Sequence, residues 1–175
     1  MTRQTVRKIL TRDFILCSFG QAAFGFIYYS LIPTLPIYLT RLGSNEAEIG
    51  ILIGCFAASS LILRPFVGRA LLKVSEKKFM IVGALLFAFA SFAYLFAPPF
   101  WPFLITRVVQ GLGYAFFNTA SFTLIANMSL ETLRGQSLSY FFLVWNISGA
   151  LGPPLGMFII NRYSFAFLFL TCLGL

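Results

Sequence analysis

The sequence has no histidine, only five acidic residues, and three cysteines in 175 positions. Without imidazole, a general base or a nitrogen-ligated metal centre loses its commonest donor, and the sequence offers no nucleophile–base pair, metal-ligating cluster or phosphate loop in its place. Enzyme chemistry is not the expectation, and neither a metal nor a cofactor is implied. Cys17, Cys55 and Cys172 fall far apart within apolar runs, which favours packing over a disulfide or zinc site. Charge is scarce as well. Only 10% of residues are Asp, Glu, Lys or Arg, too few to keep a soluble domain in solution. The net charge of +8 is scattered between apolar runs and builds no basic face, so no nucleic-acid partner is expected.

What remains is 59% apolar and includes 22 phenylalanines. These residues arrive in long uncharged runs rather than amphipathic periods, the pattern of membrane spans. Phe14 to Leu39 carries no charge, and Ile49 to Leu72 carries only Arg64 and Arg69 toward its end. Residues 79–96 follow and close on the turn "APPFWP"; 101–127 contain one charge, Arg107; 136–161 contain none. Residues 165–175 are apolar but reach roughly 17 Å as a helix against a hydrocarbon core of about 30 Å. The expectation is therefore an all-α membrane protein with five spans and a truncated sixth, in contact with membrane lipid.

Basic residues near span ends set the orientation. With the N-terminus inside, the cytoplasmic side holds ten of them: Arg3, Arg7, Lys8, Arg12, Arg64, Arg69, Lys73, Lys77, Lys78 and Arg134. The opposite side holds Arg41 and Arg162. Arg64 is read here as snorkelling to the headgroups on its long stem. The basic head "MTRQTVRKILTRD" precedes an apolar run too long for a signal peptide and is read as leading into a retained span.

An internal repeat follows from one offset. Adding 88 carries 14–39 onto 102–127, 49–72 onto 137–160 and 79 onto 167, with Pro65-x-x-Gly68 falling on Pro153-x-x-Gly156 and Gly25 on Gly113. Three spans per unit is odd, so the second unit must lie inverted in the membrane; such 3+3 inverted repeats are typical of secondary transporters, with a substrate site near the midplane.

Polar residues within the spans form stripes. Arg107, Gln110, Tyr114, Asn118 and Ser121 are spaced 3, 4, 4 and 3 apart and share one helix face, which should meet other helices or a water-filled pathway rather than lipid. Gln21 and Tyr28 form a second, shorter pair. In the fifth span Ser139, Asn146, Gly149, Pro153 and Gly156 make a third stripe, and Gly152-x-x-x-Gly156 is a small-residue packing pattern. Proline there should bend the helix. No acidic residue lies deep in a span, Asp13 being at the edge of the first.

Four stretches resemble motifs of the major facilitator superfamily. "GRALLKVSEKK", with Gly68, Arg69, Lys73 and Lys77, is similar to its Gly-x-x-x-Asp-Arg-x-Gly-Arg-Arg loop, although Leu72, Ser75 and Glu76 depart from that pattern. "RVVQGLGYA", Arg107 to Ala115 with Gly111, resembles the Arg-x-x-x-Gly-x-Gly of helix four; Arg134-Gly135 resembles the opening of helix five. "SGALGPPLG" resembles the helix-five motif of drug:proton antiporters. The resemblance implies the N-terminal half of such a transporter in a plasma or inner membrane, exporting a small-molecule substrate by alternating access with proton antiport. Its partner would be the missing C-terminal half or a second copy. The alternatives are a six-helix protein that dimerises as a carrier and a non-transporting scaffold.

Overall fold

A run of uncharged residues in hydrocarbon must satisfy its backbone internally, and the helix is the single-segment solution. The computed structural model describes residues 9–97 and 100–174, and it is helical throughout apart from short turns. Arg3, Arg7 and Lys8 of the basic head and the Pro98-Pro99 pair lie outside the described residues.

Helix α1 spans Arg12–Arg41, starting where the Thr11 hydroxyl accepts from the Phe14 N–H at 3.3 Å. It ends in a Schellman turn: Gly43 adopts φ 85°, its N–H bonds to Thr40 O at 3.1 Å, and Ser44 N–H reaches Leu39 O at 3.1 Å. Helix α2, Glu46–Ala70, opens at once on a capping box, Asn45 Oδ1 accepting from Glu48 N and Glu48 Oε2 from Asn45 N. Helix α3 runs Glu76–Ala93, α4 Trp101–Met128, α5 Arg134–Arg162 after a 3-10 turn at Glu131–Leu133, and α6 Phe165–Gly174. The second run ends earlier than its apolar sequence, leaving Leu72 in the α2–α3 turn and 86% exposed.

By length and composition, α1, α2 and the Glu131–Arg162 stretch holding α5 can each cross a membrane. Helix α3 is only 18 residues and spends its first turn on Glu76, Lys77 and Lys78. Helix α4 is long enough, but Arg107, Gln110 and Asn118 interrupt its apolar character.

The helices pack along three main seams: α5 lies along α1, and α2 and α3 both lie along α4, of which only α3–α4 joins neighbours in sequence. Small residues make these approaches possible, since apolar packing alone gains little where lipid is equally apolar. A Cβ on Gly152 would sit 2.6 Å from the Tyr29 Cβ, and one on Gly156 2.6 Å from the Ser30 carbonyl. On the other side of the bundle, a Cβ on Gly113 would lie 2.7 Å from the Phe87 N and one on Gly111 2.7 Å from the Phe56 O. Aromatic rings fill the centre, with Phe24 stacked on Phe117 at 4.0 Å.

Helix α5 continues through Pro153 and Pro154 as one helix. Its buried line is Ser137, Phe141, Trp145, Ser148, Gly152, Gly156 and Ile160. This differs from the expected stripe: Ser139 and Asn146 are exposed and bond back to their own helix, at Gly135 O and Phe142 O. The polar residues satisfy themselves locally, which leaves the close seam to residues small or flat enough to meet α1.

Candidate functional site: a polar and aromatic face across four helices

The helix seams bring one aromatic set together from α1, α2, α4 and α5. Tyr28 lies 4.8 Å from Tyr114, 5.6 Å from Trp145 and 5.9 Å from Phe56, centroid to centroid. Tyr29 adds a further contact with Trp145 at 5.1 Å. Such pairs contribute about 0.5–1.5 kcal/mol each beyond the area they bury. Beside the cluster is an open groove of about 480 Å³, lined by Tyr28, Phe56, Ser60, Arg64 and Tyr114 together with aliphatic residues of α1 and α2.

Arg64 is the unexpected member. Its guanidinium lies 5.8 Å above the Tyr114 ring, at the middle of α4, rather than among headgroups. The snorkelling reading is therefore corrected. Phe56, Ser60 and Arg64 recur every four residues, so one face of α2 carries all three into the groove.

Behind the groove, Arg107 and Gln110 sit inside the bundle. Arg107 is 8% exposed; its Nε donates to Leu52 O on α2 at 3.2 Å, and its terminal nitrogen donates to Gln110 Oε1 at 2.8 Å. Tyr94 also donates to Gln110 Oε1, and Gln110 Nε2 donates to Ser91 Oγ at 3.4 Å. The Phe56 ring covers the guanidinium at 5.1 Å. One buried cation thus ties α2, α3 and α4 together. Sequence reading missed Ser91 and Tyr94, whose three-residue spacing on an otherwise apolar run was the available signal. It also missed Phe56 and Trp145, which are indistinguishable in sequence from packing aromatics.

The other expected residues are dispersed. Gln21 is fully buried, and neither end of its amide has a hydrogen-bond partner. Asn118 is half-buried, one turn beyond Tyr114, and Asn146 is exposed. Of the small-residue set, Gly149 lies against the Tyr29 ring, with Gly152 and Gly156 against α1. Pro153 is half-buried beside them. Gly68 has open space around it. Arg69, Lys73 and Lys77 are exposed around the α2–α3 turn. Two bonds bind this end together: Asn127 Nδ2 donates to Glu76 Oε1 at 2.8 Å, and Arg134 Nε donates to Ala126 O at 3.0 Å.

Residues 17–175 match the family model of the Major Facilitator Superfamily. The Quinolone resistance protein NorA of Staphylococcus aureus (strain N315) is 29% identical over 146 residues, 83% of this chain and 38% of that protein. Multidrug resistance protein 1 of Bacillus subtilis (strain 168) is 25% identical over 134 residues, 77% of this chain and 34% of that protein. The chain thus spans well under half the length of these curated relatives.

Proposed function

The chain belongs to the Major Facilitator Superfamily, and from that premise we propose that it is the N-terminal six-helix half of a secondary transporter exporting small molecules. Transport proceeds by alternating access with proton antiport. The observation that carries this reading is the aromatic groove, to which helices α1, α2 and α4 contribute one cation, one hydroxyl-bearing serine and stacked rings. A concave, largely apolar site with few polar groups suits amphipathic small molecules. The printed names of the relatives, quinolone resistance and multidrug resistance, point to export of drug-like compounds.

The inverted repeat belongs to the same proposal. Under the offset of 88, α1 corresponds to α4 and α2 to α5, so the α1–α5 seam has the α4–α2 seam as its counterpart; both are main seams of the bundle. Gln21, Tyr28, Arg107, Gln110, Tyr114, Asn118 and Asn146 line or support the pathway. Gly111, Gly149, Gly152, Pro153 and Gly156 let helices move against one another, while Gly68, Arg69, Lys73, Lys77 and Arg134 form the cytoplasmic hinge region. The groove closes against a second six-helix bundle, the C-terminal half of the same transporter. Asp13 stands exposed in the first turn of α1, so the proton-carrying carboxylate comes from that other half.

The test is export by vesicles carrying the full-length protein. A panel of aromatic drugs should leave the cytoplasmic compartment when a proton gradient is imposed, with matching proton movement. Export without proton movement would remove antiport, and no export of any compound would remove the transporter reading.

A further inference from the structure

We propose that the groove selects amphipathic anions, a planar aromatic body carrying a carboxylate or sulfonate, and that Arg64 receives the anionic group. This inference rests on the transporter reading and adds the substrate class. Its basis is the sign and placement of charge. No aspartate or glutamate lines the groove. The five acidic residues of the chain are Asp13, Glu46, Glu48, Glu76 and Glu131, and all lie in the first turns of helices. Two permanent cations face the same aromatic cluster: Arg64 against Tyr114, and Arg107 behind Phe56.

The two cations have different work. Arg107 spends its donors on Leu52 O and Gln110 inside the bundle. Arg64 is exposed on the groove side, with the Tyr114 ring beneath it. A guanidinium carried on an aromatic face keeps planar N–H groups that match a carboxylate or sulfonate, and the low-dielectric surroundings strengthen that pairing. The groove is an open recess of about 480 Å³, within the size range of a small-molecule site. Tyr28 and Phe56, stacked at 5.9 Å, put aromatic rings on the groove wall against which an aromatic body can pack.

The experiment uses the full-length transporter in proteoliposomes and measures counterflow, which needs no proton gradient. Two probes of matched shape are compared, naphthalene-2-sulfonate and (2-naphthylmethyl)trimethylammonium. The parent should exchange the sulfonate faster than the ammonium. Arg64→Gln should lower the sulfonate-to-ammonium ratio roughly tenfold or more, the loss expected for one charge-assisted pairing. Arg64→Lys should give an intermediate ratio. A parent that prefers the ammonium, or an Arg64→Gln ratio equal to the parent's, overturns the proposal. Exchange of neither probe overturns the substrate class alone if the drug panel is still exported; failure of the panel as well overturns the transporter reading with it.

Discussion

Arg107 is a guanidinium only 8% exposed within a helix bundle, a placement that is costly unless partners receive its donors. Its bonds to Leu52 O and Gln110 Oε1, with the Phe56 ring over one face, supply part of that compensation. Removing it leaves Gln110 with only part of its network in a buried site, a loss of about 1–3 kcal/mol. Arg107→Ala in the full-length protein should therefore insert but lose most transport, more than tenfold at equal expression. Arg107→Lys should be partly active, because a point charge can reach one of the two acceptors but not both. Parent-level export by Arg107→Ala would show that the network serves only packing. Tyr94→Phe tests the neighbouring link. It deletes the hydroxyl that donates to Gln110, should cost about 1 kcal/mol, and should lower the melting temperature in detergent without abolishing transport. The stripe from Arg107 to Tyr114 was legible from its spacing. Arg64 was not, because distance from a helix end does not say which face a side chain occupies; the four-residue steps from Phe56 through Ser60 hold that information.

Elements were easier to read than faces. The helix is the solution by which a single uncharged run satisfies its own backbone, so the six helices of the described residues and their order were legible, with α2 and α3 ending two or three residues before their apolar sequence does. Faces were harder, since a helix that is apolar all round gives a weak period. Helix α5 illustrates the difference. Its polar residues suggested a seam through Ser139 and Asn146, while the observed seam passes through Trp145, Ser148, Gly152 and Gly156. There Ser30 Oγ donates to Gly152 O at 2.9 Å and Ser148 Oγ to Ala22 O at 3.3 Å. Both Gly152 and Gly156 would drive a Cβ into α1, and at Gly156 the obstacle is Ser30 backbone, which cannot rotate away. Gly156→Leu and Gly152→Leu should thus each cost more than the about 1–3 kcal/mol of ordinary overpacking, because the Tyr29 Cβ, 2.6 Å from a Cβ on Gly152, is fixed to the α1 backbone. Both should reach the membrane yet show reduced thermal stability and transport. Pro153→Ala should be milder, because it restores an N–H to the helix and adds no bulk; its expected symptom is export with weakened coupling to protons. Parent-like stability in Gly156→Leu would mean that the α1–α5 seam is looser than described.

At the scale of the whole molecule, contacts within the bundle sort the helix ends into two sets without reference to a membrane. Phe14 at the start of α1 meets Phe141 near the start of α5, and Glu76 at the start of α3 bonds Asn127 at the end of α4. At the other pole, Tyr38 near the end of α1 bonds the Tyr94 carbonyl beyond α3, and Arg41 covers the Phe165 ring at 5.0 Å. The first pole carries Arg12, Arg69, Lys73, Lys77, Lys78 and Arg134, while Arg41 and Arg162 belong to the second. Moving Arg64 from the pole to the groove reduces the sequence-based count from ten to nine and leaves the asymmetry intact. By the positive-inside rule we propose that the basic pole faces the cytoplasm. Cysteine scanning measures this directly, once Cys17, Cys55 and Cys172 have been replaced. Cysteines at Lys73 and Lys77 should resist a membrane-impermeant maleimide in sealed cells and react after permeabilisation. Cysteines at Gly43 and Ala47, both exposed, should react in intact cells. The Gly43 substitution is the less informative of the two, because φ 85° disfavours any side chain and can disturb the α1–α2 turn. Ala47 and Lys73 are therefore the deciding pair. Labelling of Lys73→Cys from outside sealed cells, with Ala47→Cys protected, would invert the molecule in the membrane and turn the proposed export pathway into one for uptake.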